Sequence, residues 1–235
     1  MPSTQPGRGT STAVESFRPA ASWAGSPSLI GTLLFTVAWL VCAWLQPRYD
    51  ARREHISALA AIDANAAWIM VAAFLSFGLG VMALGVGLHH SLHTTLGRVG
   101  AVTVVLCGVA VCAAGLARQD CSVQLPECGQ LVQAGLMTSH HLVHDVASVA
   151  AFVFAGAAQL VVGSSLRRQG GWTHLRLPSI ISGLSTLALF AMLAGDLAPA
   201  WEGIVERTMV VVSCTWLCVF ADQLRTIRPW PAAHG

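Results

Sequence analysis

The sequence predicts an all-α polytopic membrane protein, with six transmembrane helices in a compact bundle. Six apolar stretches run along the chain: Leu29–Gln46, Ala66–Leu88, Val99–Ala117, Val146–Leu166, Leu177–Gly195 and Gly203–Ala221, and their few ionisable groups sit at the ends. A hydrocarbon core about 30 Å thick needs about 20 helical residues, close to the length of each stretch. Composition agrees. The 235 residues are 54% hydrophobic and 10% charged, with a mean hydropathy of +0.63. A soluble domain carries about 25% charged residues. The connections are too short to hold a second folded unit, so one membrane domain is expected.

Residues 1–28 are rich in Ser, Pro, Gly and Thr and are expected to form a disordered tail. They show no basic region followed by an apolar core and a small-residue cleavage site, so they do not read as a secretory signal. Residues 29–224 form the transmembrane domain. Residues 225–235 form a short basic tail whose Trp230 suits the membrane interface. All thirteen basic residues are arginine, which with the Ala, Gly and Val richness suggests a bacterial chain. A net charge of +2 gives no nucleic-acid signal. The expected partner is the lipid bilayer, with a protein partner in the membrane left open.

Six spans put both termini on one side. That side carries eight of the thirteen arginines: Arg8, Arg18, Arg98, Arg167, Arg168, Arg176, Arg225 and Arg228. The positive-inside rule then predicts a multi-pass plasma-membrane protein with both termini cytoplasmic. The cysteines support the same orientation. Cys42, Cys107, Cys112, Cys214 and Cys218 lie within spans and read as small apolar fillers. Cys121 and Cys128 share the third loop around Pro126. If that loop faces an oxidising compartment, they are expected to close a disulfide. A metal pair fits less well, because zinc ligands are usually two to four residues apart.

The outward loops and helix ends collect the unusual polar residues: His55 and Ser57 in the first loop, Asp120 and the cysteines in the third, and Asp196, Glu202, Glu206 and Arg207 in the fifth. The densest group is Ser139-His140-His141-Leu142-Val143-His144-Asp145-Val146-Ala147-Ser148, which leads into the fourth span. On a helix His140 and His144 share a face, His141 and Asp145 share one, and His144 and Ser148 share one. An i, i+4 histidine pair suits a metal chelate, with Asp196 as a third ligand and zinc as the ion. A His–Asp pair at that spacing suits an acid–base group instead, with His144, Asp145 and Glu206 as the catalytic set. The structural alternative is an interfacial cap, with His55, Ser57, His141, Ser148, Glu202 and Arg207 as a polar cluster and Glu206-Arg207 binding neighbouring helices together. The apolar run after Ser57 is expected to lie along the interface, as are Trp172 and His174.

His89-His90-Ser91-Leu92-His93 ends the second span on the opposite side, without the partner at matched depth that haem ligation needs. Phosphate-loop, nucleophile-elbow and His-Glu-x-x-His motifs are absent. The spans carry no charge at mid-depth, which argues against an ion-coupled transporter. Gly78, Gly80, Gly85, Gly87, Gly108 and Gly115 suit close helix packing.

The order of these features resembles a bacterial and archaeal membrane family known as domain of unknown function 998. The matching pieces begin with Pro47-Arg48-Tyr49-Asp50 and His55-Ile56-Ser57-Ala58-Leu59, followed by the Asp120-Cys121 to Cys128 loop. His141 or His144 with Phe152 comes next, then Glu206-Arg207 and Trp216. The resemblance spans roughly residues 29–224 and implies six spans without implying an activity. Ala58 stands where an acidic residue is common in the family. The residue types of Ser148, Asp145, His144, His140 and His55 also resemble the zinc site of the membrane hydrolase superfamily that includes alkaline ceramidases and progestin-type receptors, though their chain order differs. Two functions follow as expectations. One is a non-catalytic envelope scaffold, sensor or accessory subunit with a polar pocket on the outer face. The other is a metal-assisted or acid–base hydrolase acting on a lipid or envelope substrate at the outer leaflet.

Overall fold

The computed structural model describes residues 19–226. The expected tails fall mainly outside the described residues, at 1–18 and 227–235, with Arg8, Arg18, Arg228 and Trp230. The described residues form seven α-helices: α1 (Gly25–Leu45), α2 (Ala67–Ser91), α3 (Thr95–Leu116), α4 (Pro126–Gln133), α5 (Ser139–Ser165), α6 (Arg176–Ala194) and α7 (Glu202–Thr226). All except α4 are long and apolar enough to cross a membrane.

All the long helices except α2 start earlier than their apolar runs. The first helix begins at Gly25 rather than Leu29, behind a 3-10 turn at Pro19–Ala24. The largest difference is in α5. It starts at Ser139, where the Thr138 side chain accepts from the His141 N–H, so the whole histidine cluster is helical. Helix α4 lies in a segment read from sequence as loop. Pro126 occupies its first turn, where a missing N–H costs nothing, and Cys128 is its buried residue.

The six long helices pack in a closed ring. α1 lies against α2, α2 against α3, α3 against α5, α5 against α6, and α6 against α7, which returns to α1. Large apolar side chains such as Leu33, Leu40, Val102, Val146 and Leu184 face outward. Lipid solvates them as well as protein would, so close van der Waals contact between helices must hold the ring together. Small residues allow that contact. A Cβ on Gly78 would stand 2.7 Å from the Gly108 carbonyl oxygen, and one on Gly108 would stand 2.6 Å from that of Gly78. The backbones of α2 and α3 therefore touch there. Gly156 and Gly183 do the same for α5 and α6.

A polar knot adds to this packing on the far side of the ring. Gln159 of α5 is 1% exposed. Its Oε1 accepts from Ser182 (2.8 Å) and Thr186 (3.1 Å) of α6, and its Nε2 donates to Ser213 of α7 (3.2 Å). Trp216 of α7 donates to Ser179 of α6 at 3.0 Å. Helix α6 is the least buried of the six spans, and Ser179, Gly183 and Thr186 are its buried residues. Hydrogen bonds between spans contribute about 0.6 kcal/mol each.

Two segments expected at the interface are buried in the bundle instead. Ile56–Ala60 forms a 3-10 turn whose Ile56, Leu59 and Ala60 are almost inaccessible, packed among Phe35, Cys42 and Met70. Trp172 is buried against Phe220 at the opposite end.

Candidate functional site

Three connections meet at one end of the ring: residues 46–66, 117–138 and 195–201. Arg207, in the first turns of α7, holds the first of them. Its Nη1 donates to the carbonyl oxygens of Glu54 (2.9 Å) and Gly203 (2.8 Å), and its Nη2 donates to the Tyr49 hydroxyl. The guanidinium also lies over the rings of Trp39 and Tyr49. Tyr49 passes the contact on by donating to the His55 carbonyl at 2.8 Å. Burial raises the Tyr49 pKa despite the opposing pull of Arg207. Gly203 permits this arrangement, because a Cβ there would lie 2.5 Å from the Glu54 carbonyl oxygen.

Glu206, one residue earlier, turns a different way. Its Oε2 accepts from the Ile56 N–H at 2.6 Å. Arg118, just beyond α3, donates to the carbonyls of Ala60 (2.9 Å) and Ala61 (2.6 Å). Ser57 donates to Oε1 of Gln119 at 3.2 Å, and the Ile62 N–H donates to the Gln119 carbonyl at 2.9 Å. The first loop is thus pinned through its backbone by groups from α7 and from the end of α3. Glu206 and Arg207 hold this loop, and Arg207 also touches the neighbouring span α1 through Trp39.

The third loop is closed by a disulfide between Cys121 and Cys128. Asp120 beside it accepts from both the N–H (2.7 Å) and the hydroxyl (2.8 Å) of Thr138. Its N–H donates to Nδ1 of His141 at 3.1 Å. That bond makes Nδ1 the acceptor and leaves the His141 proton on Nε2, which faces Asp145 at 3.6 Å. His141 and Asp145 are therefore brought together, as their spacing implies. A smaller cluster joins His55, Gln124 and Glu202: Gln124 donates to Glu202 at 3.0 Å, and the His55 ring lies 3.5 Å from the same carboxylate.

His144 is the buried centre of the rim, 1% exposed. Its Nδ1 sits 2.8 Å from the Ala114 carbonyl oxygen and 3.0 Å from that of Ala117. Carbonyls only accept, so Nδ1 carries the proton and caps the end of α3. The other nitrogen, Nε2, then holds a lone pair. It is buried and has no hydrogen-bond partner among the described residues. His144 lines a cleft of about 220 Å³. One wall is polar, with His55, Ser57, Gln119, Asp145, Ser148 and Glu206; the other is apolar, with Phe152 and Phe190.

Several expected partners do not meet. His140 is exposed while His144 is buried, and Asp196 is exposed on the turn after α6 with φ of 48°. The expected zinc trio of His140, His144 and Asp196 is thus not assembled. Position along the helix is the reason: His140 lies in the first turn of α5 and is exposed there, while His144, one turn further in, reaches the carbonyls at the end of α3. No group of three His, Cys, Asp or Glu side chains among the described residues is placed to hold a metal ion. Gln119, Tyr49, Glu54, Arg118 and Gln124 complete the rim without having been singled out as site residues. The signal available for Tyr49 was that it is the chain's one tyrosine.

Asp120 gives this rim a pH dependence. Burial alone would raise its pKa, but the two Thr138 donors, together with His141 and His140, outweigh that and hold it below the ordinary carboxylate value. A carboxyl whose folded-state pKa is lowered stabilises the fold above its unfolded pKa, and that stability is lost as the pH falls through the folded value. Asp120→Ala is expected to cost about 1 kcal/mol near neutral pH, the size of a lost helix cap. The difference from wild type should shrink as the pH falls through the carboxylate range, followed by reversible unfolding in detergent. A difference that does not change with pH would show that the carboxylate charge is irrelevant.

No curated protein and no solved structure matches the chain. Residues 29–222 match the family described as "Protein of unknown function (DUF998)". The match runs from α1 through nearly all of α7 and covers the rim, the cleft and all six long helices, so the chain belongs to that family.

Proposed function

We propose that this protein is a non-catalytic component of the plasma membrane, a sensor or accessory subunit, that works by binding a ligand in the rim cleft. The observation that carries this is the free Nε2 of His144. A buried polar atom without a partner is costly, and such atoms in folded proteins call for an explanation. A bound group that donates a hydrogen bond would supply the missing partner. The cleft around it has a few converging polar groups and an apolar wall, as ligand sites generally have.

We place both termini in the cytoplasm and the cleft on the outer face. The arginine excess on the terminal side supports this, and so does a disulfide in the third loop. Hydrolysis is the second reading, favoured by the same lone pair, since a neutral imidazole nitrogen serves as a general base. It has less support. Nε2 bonds to neither Ser57 nor Ser148, and Ser57 gives its proton to Gln119.

Two measurements test this reading. Solvent extracts of the purified protein and of bulk membrane are compared by mass spectrometry. One compound class should be enriched with wild type and lost with His144→Leu; extracts indistinguishable from bulk membrane for both would overturn binding. Cleavage products accumulating with wild type alone would favour hydrolysis. For orientation, Cys121 and Cys128 in intact cells should resist an impermeant maleimide until an impermeant reductant is added. Labelling before reduction, or none after it, would contradict the outer placement.

A further inference from the structure

We infer that the ligand is a single-chain amphiphile, its head in the rim cleft and its tail threaded down the axis of the helix ring. This rests on the reading of the rim as a binding site and adds where the rest of the ligand goes.

The rim cleft is the first of three cavities that share walls. Below it lies a cavity of about 70 Å³, which has Ser57, Ser148, Phe152 and Glu206 in common with the cleft. Below that lies one of about 60 Å³, which shares Phe77, Val111, Ala151, Phe152 and Val210 with the second. Phe152 borders all three. Joined through these shared walls, they would make one column from the polar rim to Gln159 and Ser213, which line the deepest cavity.

The lining changes along this column as an amphiphile does. Histidines, carboxylates, a glutamine and serines surround the cleft, while Val81, Val104, Cys107 and Leu217 surround the deepest cavity. An empty apolar cavity forfeits dispersion contacts on its whole lining. In a membrane the abundant material to fill it is a hydrocarbon chain. The two inner cavities are small, which suits one chain and excludes two. The polar knot at the bottom satisfies its own groups, so it asks nothing of the chain end.

The charges at the rim select the head. Glu206 and Asp145 line the cleft and no arginine does. The nearest guanidinium in sequence, Arg207, gives its Nη donors to Glu54, Gly203 and Tyr49 and does not line the cleft. A phosphate or carboxylate head would face two carboxylates without a counter-charge, whereas a hydroxyl or ammonium head donates to Nε2 of His144 and to the carboxylates. The shared chemistry is a hydrogen-bond-donating head on a single chain.

Photolabelling in phosphatidylcholine nanodiscs tests this. One probe is a monoacylglycerol with a diazirine at the end of its chain; a second carries the diazirine next to the glycerol. The tail probe should label Phe77, Val111, Ala151 or Val210, inside the ring. Filling the column with Ala151→Phe or, separately, Val111→Phe should reduce that labelling about ten-fold while the head probe still marks the rim. Monoolein or oleylamine should compete, and the stronger of the two identifies the head as hydroxyl or ammonium. Oleate should compete about ten-fold more weakly, the scale expected for one uncompensated charge contact. Tail labels confined to outward residues such as Leu33, Leu40 and Leu184, with head labels still at the rim, would overturn the threaded tail and leave the rim site standing. Equal competition by oleate would overturn the choice of head. Head labels nowhere near His144 would overturn the rim site and this inference with it.

Discussion

His144 donates one N–H to two carbonyl oxygens at the end of α3, and the geometry of the rim follows from that contact. Backbone carbonyls at a helix end have no partner within the helix, and a membrane interior offers little water to supply one. The imidazole fills that need, ties α5 to α3, and fixes the rotation of α5. That rotation buries His144 and sets His141 beneath the Asp120 N–H, while His140, a turn nearer the helix start, stays exposed. It also fixes the tautomer, so the lone pair is held on the nitrogen that no protein group uses.

The polar wall opposite is made by backbone rather than by side-chain pairing. Arg207, Arg118 and Glu206 each spend their charged groups on main-chain atoms of the first loop. Those contacts press Ile56–Ala60 into the end of the ring, where Ser57 reaches Gln119 and closes the cleft. These bonds order a loop that has no regular structure beyond one 3-10 turn, although the Nε of Arg207 is itself buried without a hydrogen-bond partner among the described residues. Packing inside the ring is less complete. Small residues bring α2 to α3 and α5 to α6, but small cavities remain around Phe152.

The spans were legible because apolar length is a local property of the chain. The paired cysteines were legible from their place in a short polar loop. The histidine cluster was legible as the helical entry to the fourth span, ahead of the apolar run that begins at Val146, and α5 does begin at Ser139. What i, i+4 spacing does not give is depth: it sets His140 with His144 and His141 with Asp145, but not that His144 reaches the α3 carbonyls while His140, one turn earlier, stays exposed. Burial of Ile56–Ala60 depends on arginines supplied from α7 and from beyond α3, so its local apolarity read as an interfacial run. Gln159, Ser182, Thr186 and Ser213 gave no signal in the sequence, because their convergence exists only once α5, α6 and α7 are packed.

The tautomer of His144 is the point on which the account turns, and nitrogen NMR of selectively labelled histidine reads it directly. In the ligand-free protein near neutral pH, the account predicts a proton on Nδ1 and a bare Nε2, assigned by the loss of that signal in His144→Gln. A proton on Nε2 with a bare Nδ1 would contradict it, because the ring would then neither cap α3 nor leave Nε2 as a bare acceptor.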